Sequence, residues 1–371
     1  MYRDFGTLAL IAVALIAWLI WQTVEPDTES APFAAAGLLS DAPEDFRRVT
    51  GPEPLVFPDD HGAHPGFRNE WWYFTGNLES TDGAPLGFQF TLFRFGLASV
   101  PALNSRWRSE AVWMAHLALS DGRNHRFHSA ERFARGALGL AGATPGRWWL
   151  RDWTVQRHGQ GWSLQAAAAD FGLRLDLEAV KPVVLQGEDG YSRKGPEPGN
   201  ASRYYSITRL SARGQIQVDG ATSEVTGTAW LDREWGSSQL GEGLAGWDWF
   251  ALQLDDGRDL MVYRLRRHDG SAAPWSAGAV IAGDGRHWPL RPGEFSARPT
   301  RWWTDDQGHR WPVAWRVRVP QHGLDLAVDA LFDHQRWQGS VHYWEGAVEV
   351  STAPGRQPLG RGYLELSGYA D

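Results

Sequence analysis

The segment Asn69–Gly76, NEWWYFTG, places four aromatic side chains in succession behind a carboxylate. Successive side chains of a β-strand point to opposite faces. Trp71 and Tyr73 therefore face one side and Trp72 and Phe74 the other, so both sides must meet apolar surroundings. A sheet with one wetted face does not accept that pattern. The strand needs a packed core behind it and a ligand or a second domain in front. Tryptophan is abundant throughout, with 22 in 371 residues. Core filling accounts for many of these indoles, and the remainder suggest a cavity or groove for an apolar or flat ligand.

Beyond Leu55 there is almost no sustained 3.6-residue periodicity. Residues 87–95, 111–119, 162–168, 171–179, 204–210, 259–265, 313–319 and 324–332 are rich in aromatic and β-branched side chains and read as strands. Asp82-Gly83, Asp121-Gly122, Asp256-Gly257 and Asp284-Gly285 read as hairpin corners. The chain is expected to be all-β, with barrels or sandwiches of up-and-down strands. A net charge of −8 gives no basic footprint for nucleic acid. The absence of cysteine excludes disulfides, thiolate chemistry and Cys-based zinc sites.

An internal repeat organises the strands. WWYFTGNLESTDG (71–83) matches WDWFALQLDDG (247–257), with Trp71 on Trp247, Tyr73 on Trp249, Phe74 on Phe250 and Leu78 on Leu254. Each copy is followed by a strand ending in an aromatic–Arg pair, Phe93-Arg94 and Tyr263-Arg264. GTAWLDREWG (227–236) is echoed by GRGYLELSG (360–368). Two similar β domains are expected, over 55–238 and 239–371. Residues 1–25 form a membrane anchor or signal segment, because Thr7–Val24 is uncharged and long enough to span a bilayer. Arg3 before it and three acids after it orient the bulk of the chain outside the cytoplasm. Residues 26–54 read as a linker, with one short helix capped by Asp41. QGEDGYSRKGPEPGNAS (186–202) is a long loop with a binding or lid role.

Chemistry concentrates in AWLDREWG (229–236). Asp232 and Glu234 share a strand face, roughly 7 Å apart from the strand rise. Burial there raises a carboxyl pKa and suits acid/base work. His116 shares its strand face with Met114 and Ala118, and as a lone histidine it fits a hydrogen-bonded structural role as well as acid/base chemistry. The candidate catalytic set is Asp232, Glu234, His116 and Tyr263. Ligand contacts are expected from Glu70, Trp72, Arg94, Tyr205, Arg233, Trp235, Trp247 and Asp248, with Arg94 the expected counter-ion for a carboxylate. His61-x-x-His64 and His125-x-x-His128 lack the helical spacing of a zinc motif and a third ligand, so no metal is expected. No nucleotide or serine-hydrolase pattern occurs, and no cofactor is expected.

FPDDHGAHPGFRNEWWYFTGNL, GFQFTLFR, GEDGYSRKG leading to SRYYSITRL, WLDREWGSSQL and GWDWFALQLDDGRDLMVYRLR, in this order, resemble the bacterial AttH/CrtC-like family from about Leu55 to the C-terminus. That family carries the labels secreted hydrolase, AttH component of an ABC-transport system, and carotenoid 1,2-hydratase-like. The resemblance implies two tandem lipocalin-like barrels and an extracytoplasmic setting, often beside transporter permeases, and the uncharged Thr7–Val24 segment adds an inner-membrane anchor. It also implies an apolar or polyene-like ligand. Hydratase members add water across a terminal double bond of an acyclic carotenoid. They tend to carry His where this chain has Arg233, which is a poor proton donor. The expected function is ligand binding as a transporter accessory, with a hydratase, isomerase or cyclase as the alternative and a secreted hydrolase behind both.

Overall fold

The computed structural model describes residues 45–97, 109–237, 240–241 and 243–370. The expected anchor, most of the linker and the Asp41-capped helix lie outside the described residues. Among the described residues no helix is long and apolar enough to cross a membrane. Linker residues Phe46 and Val49 are buried, Val49 in a cluster with Phe67, Ala201, Tyr205 and Trp235.

The strands segregate into two antiparallel sheets. The first contains β1 (Asn69–Ser80), β2 (Pro85–Gly96), β3 (Ala111–Asp121), β4 (Arg126–Arg135), β5 (Ala141–Thr144) and β6 (Arg147–Leu150). It continues with β7 (Trp153–His158), β8 (Gly161–Ala167), β9 (Phe171–Ala179), β10 (Val184–Leu185), β11 (Tyr191–Arg193), β12 (Ala201–Val218) and β13 (Ala221–Gly236). The second contains β14 (Leu244–Leu254), β15 (Asp259–Arg267), β16 (Ala277–Ile281), β17 (His287–Leu290) and β18 (Ser296–Thr304). Its remaining strands are β19 (Arg310–Val319), β20 (Leu324–Ala330), β21 (Arg336–Gln338), β22 (His342–Thr352) and β23 (Pro358–Ser367). All eight runs expected as strands fall in strands, except that Ala168, Leu331 and Phe332 lie just past the ends of theirs, and the four Asp-Gly pairs lie at hairpin turns. Gly83 and Gly257 take φ of 80° and 85°, the left-handed region that glycine enters without a Cβ penalty.

In the first sheet the order is β4-β3-β2-β1-β13-β12-β9-β8-β7-β6-β5, and β6 packs back against β2, β3 and β4. The sheet curls until it nearly closes. Trp72 and Phe74 point inward and meet Trp113, Trp148 and Trp162. The interior is filled with side chains. The second sheet, ordered β17-β16-β15-β14-β23-β22-β20-β19-β18, forms a half-barrel around Phe250, Trp311, Trp315 and Trp344.

The repeat recurs in the pairing. β1 lies between β2 and β13, and β14 lies between β15 and β23. Tyr73 opposes Asp232 as Trp249 opposes Glu365. The expected match of Arg94 to Arg264 is corrected. Phe74 faces Phe90 while Phe250 faces Val262, so the second hairpin is shorter and Arg94 corresponds to Arg266.

The two sheets meet through the outward faces of these repeated strands. Tyr73, Tyr204 and Trp230 of the first sheet cluster with Trp249, Met261, Tyr263 and Tyr363 of the second. Polar locks flank the cluster. Asn77 donates to the Gly362 carbonyl at 2.9 Å. Asp259 accepts from Lys181 Nζ at 2.6 Å, Thr208 Oγ1 at 2.7 Å and Arg209 Nη2 at 2.5 Å. Lys181 and Asp259 are both buried. Removing one partner of a buried pair strands the other charge. Asp259→Ala is therefore expected to lower stability by about 3–5 kcal/mol, and Lys181→Met combined with Asp259→Leu to recover much of that in urea unfolding. A single-variant loss of about 0–1 kcal/mol, the worth of an exposed pair, would show that this contact does not hold the sheets together.

Candidate functional site between the two sheets

Where the two outward faces separate they leave a cavity of about 230 Å3. β1 and β13 form one wall, with Trp71, Tyr73, Asp232 and Glu234; β14, β22 and β23 form the opposite wall, with Trp247, Trp249, Tyr343, Glu345 and Glu365. His116 closes it on the β3 side, and Lys194 reaches in from the loop that β11 and β12 flank. Phe93, Phe95, Leu240, Leu244 and Leu265 supply further apolar surface.

Asp232 is held by three donors. Tyr204 Oη donates to Oδ2 at 2.8 Å, Trp230 Nε1 donates to Oδ1 at 2.8 Å, and Ser206 Oγ donates to Oδ1. Trp249 Nε1 donates in turn to Tyr204 Oη at 3.3 Å, and Gln186 Nε2 to Ser206 Oγ at 3.0 Å. Burial nevertheless outweighs these bonds and pushes the Asp232 carboxyl up to about 7. Glu345 and Glu365 face each other across the β22–β23 ladder. Burial, then the neighbouring Glu365 charge, drives Glu345 well above the carboxylate range, although Tyr73 and Tyr343 hydrogen-bond to it. Burial raises Glu365 to about 7 against the hydrogen bond from Trp247 Nε1 at 2.7 Å. Glu234 is different: Lys194 Nζ lies 3.2 Å away, with the ammonium 4.1 Å from the centre of the Tyr263 ring. Among the described residues the cavity thus contains one ion pair and three carboxyl groups without a cationic partner, all set in aromatic walls.

The structure gathers Asp232, Glu234, His116, Tyr263 and Trp247 around this cavity. It does not bring Glu70, Trp72, Arg94, Tyr205, Arg233, Trp235 or Asp248 there. Arg233 alternates with Asp232 and Glu234 along β13 and points to the opposite face, where its guanidinium lies 3.9 Å from the Trp72 ring and 2.5 Å from Glu70. His64 joins Glu70 at 2.7 Å and Asp60 at 2.9 Å and stacks on Trp235. Tyr205 meets His61 at 2.6 Å. Burial opposes ionisation of Glu70, but Arg233 and His64 outweigh it and hold the carboxyl down at about 2. Arg94 donates to the Phe67 carbonyl at 2.9 Å, so the counter-ion of a cavity carboxylate is Lys194 rather than Arg94. Asp248 pairs with Arg264 at 2.6 Å and accepts from Tyr369 Oη at 2.8 Å. Glu131, Tyr343, Glu345 and Glu365 were not singled out from the sequence. For Glu365 a signal existed, since the echo of 227–236 in 360–368 sets it at the position of Asp232.

The raised carboxyls have a consequence for stability. Below about pH 4 both the folded and unfolded chains keep the Asp232 and Glu365 protons. Between there and about 7 the unfolded chain alone releases them, so stability falls as pH rises. Above about 7 both states are ionised and the contribution is flat. Asp232→Asn and Glu365→Gln cannot ionise, and their melting temperatures should fall less than the parent's between pH 4 and 7. Curves parallel to the parent's would show that these carboxyls ionise normally in the folded protein.

Residues 48–369 match the family model described as AttH-like. Among solved structures, a protein of Nitrosomonas europaea assigned to AttH is 38% identical, with 87% of this chain and 100% of that chain covered and a TM-score of 0.79. Kievitone hydratase from Nectria haematococca has a TM-score of 0.63 over 88% of this chain and 98% of its own at 13% identity, a likeness of fold alone. No curated protein sequence matches at a significant level. The family match runs through both sheets and the cavity between them, and the chain belongs to the AttH-like family.

Proposed function

We propose that the chain binds a neutral, apolar and unsaturated small molecule between the sheets and adds water across one of its double bonds, as a hydro-lyase. The observation that carries this reading is the set of buried carboxyls with no cation beside them among the described residues, Asp232, Glu345 and Glu365, in an aromatic cavity. A carboxyl kept protonated near neutral pH is a proton donor, and an apolar wall gives a carbon–carbon double bond access to it. The Lys194–Glu234 pair is balanced, so among the described residues a charged ligand would find no complementary partner. The cavity is smaller than the ~300–1,000 Å3 usual for sites that enclose a drug-sized molecule, which suits a short ligand or one end of a long polyene. Kievitone hydratase supports this reading only as a protein of the same fold.

Binding without turnover is the second reading, that of an accessory protein serving a transporter permease. Arg233 favours it only as a departure from hydratase-like relatives, which tend to carry His there; this guanidinium is locked to Glu70 on the face away from the cavity. In either reading the ligand lies between the nearly closed first sheet and the half-barrel of the second rather than inside a lipocalin-like barrel. Thr7–Val24 would hold both sheets at the outer face of the inner membrane.

Retinol serves as a binding probe, read by quenching of tryptophan emission. Lycopene in detergent micelles with 18O-labelled water serves as the turnover probe, read by mass spectrometry. The expected result is saturable retinol binding, 18O incorporation into lycopene, and a loss of roughly 10²–10⁴-fold in Glu345→Gln with retinol binding retained. Binding without 18O incorporation would select the accessory reading. No binding of either polyene would end both.

A further inference from the structure

Glu131, His116 and Tyr343 form an array at the β3 side of the cavity. His116 and Glu131 are cross-strand neighbours on β3 and β4, whereas Tyr343 comes from β22 of the other sheet. His116 Nε2 lies 3.0 Å from Glu131 Oε1, and Nδ1 lies 2.7 Å from Tyr343 Oη. Glu131 also accepts from Ser340 Oγ at 2.8 Å and from the Ser340 N–H. The imidazole is stacked on Trp337 with ring centres 4.1 Å apart, so its plane is fixed. A carboxylate against Nε2 requires the proton there, which leaves the Nδ1 lone pair to accept the single Tyr343 hydroxyl proton. Tyr343 Oη therefore meets Glu345 as the acceptor of the protonated carboxyl.

We propose that this carboxylate–imidazole–phenol array is the proton acceptor of the cavity, with Tyr343 Oη contacting the attacking water and His116 receiving the proton. It rests on the hydratase reading and completes its balance. A carboxyl such as Glu345 gives its proton to the substrate carbon, and water bonds to the neighbouring carbon. The water's surplus proton passes to Tyr343 Oη while the Tyr343 hydroxyl proton moves to His116 Nδ1. The same path in reverse returns it through Tyr343 to the Glu345 carboxylate, so one water is consumed and the protein is unchanged. Glu131 is a positioning residue: it fixes the imidazole tautomer and stabilises the transient imidazolium. The titratable groups facing His116 are Glu131 from β4 and Tyr343 from β22. Burial lowers the His116 pKa despite the Glu131 bond, and His116 with Ser340 holds Glu131 below its ordinary value against burial. These directions leave a neutral imidazole beside a carboxylate.

The resting array is tested without substrate, by nitrogen-15 NMR of histidine-labelled full chain, with His116→Gln assigning the ring. The expected result is a neutral His116 protonated on Nε2; a proton on Nδ1, or an imidazolium at pH 7, would overturn the proposal. In the lycopene assay Tyr343→Phe should lower 18O incorporation at least ~100-fold while the chain stays folded by circular dichroism, and unchanged incorporation would overturn it. Glu131→Gln, which keeps a hydrogen-bond acceptor but loses the charge, should retain the tautomer and shift the rising limb of the pH–rate profile downward as His116 becomes less basic. A limb unmoved by that change would leave Glu131 without the assigned role and overturn the array. Should the parent protein leave lycopene unchanged, the hydratase reading fails on that result, and the tautomer alone decides the array.

Discussion

The structure depends on aromatic burial on both faces of the same strands. β1 sends Trp72 and Phe74 into one core and Trp71 and Tyr73 into the interface, and β14 does the same with Phe250 and Trp249. Burying a large apolar side chain contributes about 1.5–3 kcal/mol, so the inter-sheet cluster is a third core rather than a casual contact. Separating the sheets would expose it to water. The cavity is the part of that interface where the two curved walls diverge.

Carboxyl groups placed in such a wall follow from desolvation. An ionised carboxylate without a partner costs several kcal/mol to bury, more than one apolar side chain returns. The protein meets this cost in two ways on the two faces of one strand. On the inner face of β13, Arg233 offsets Glu70, which stays ionised. On the outer face, Asp232 faces hydroxyls and an indole, and burial raises it instead. Alternation along β13 therefore separates an ionic plug from a site of titrating acids by the thickness of one sheet. The salt bridges hold charge in place, and the uncompensated carboxyls keep protons available.

Much of this was legible from residue order. Alternation in NEWWYFTG required two apolar environments, and the same period put Asp232 and Glu234 on one face with Arg233 on the other. The repeat marked the equivalence of Trp249 with Tyr73 and set Glu365 opposite it as Asp232 is set opposite Tyr73. Arg94 was misplaced as a cavity counter-ion because alternation specifies relative faces along one strand only. Which face of β2 shares the cavity with β13 depends on register, and the registers turn Arg94 toward the Phe67 carbonyl. Lys194 takes the role through a loop whose path has no period to read.

The sequence by itself determined an all-β chain, a duplicated pair of hairpins, aromatic strands buried on both sides and a paired-acid face on β13. These are local properties, set by strand alternation and turn residues within a few positions of one another. Tertiary structure alone decided that the ligand-sized space lies between the sheets rather than inside either one, since the first sheet curls tightly enough for its own tryptophans to fill it. It also decided that His116 meets Tyr343, 227 positions away, and that Glu345 faces Glu365. Those encounters depend on how two curved sheets dock. Docking is set by the summed shape and desolvation of both faces, which no short window of sequence contains.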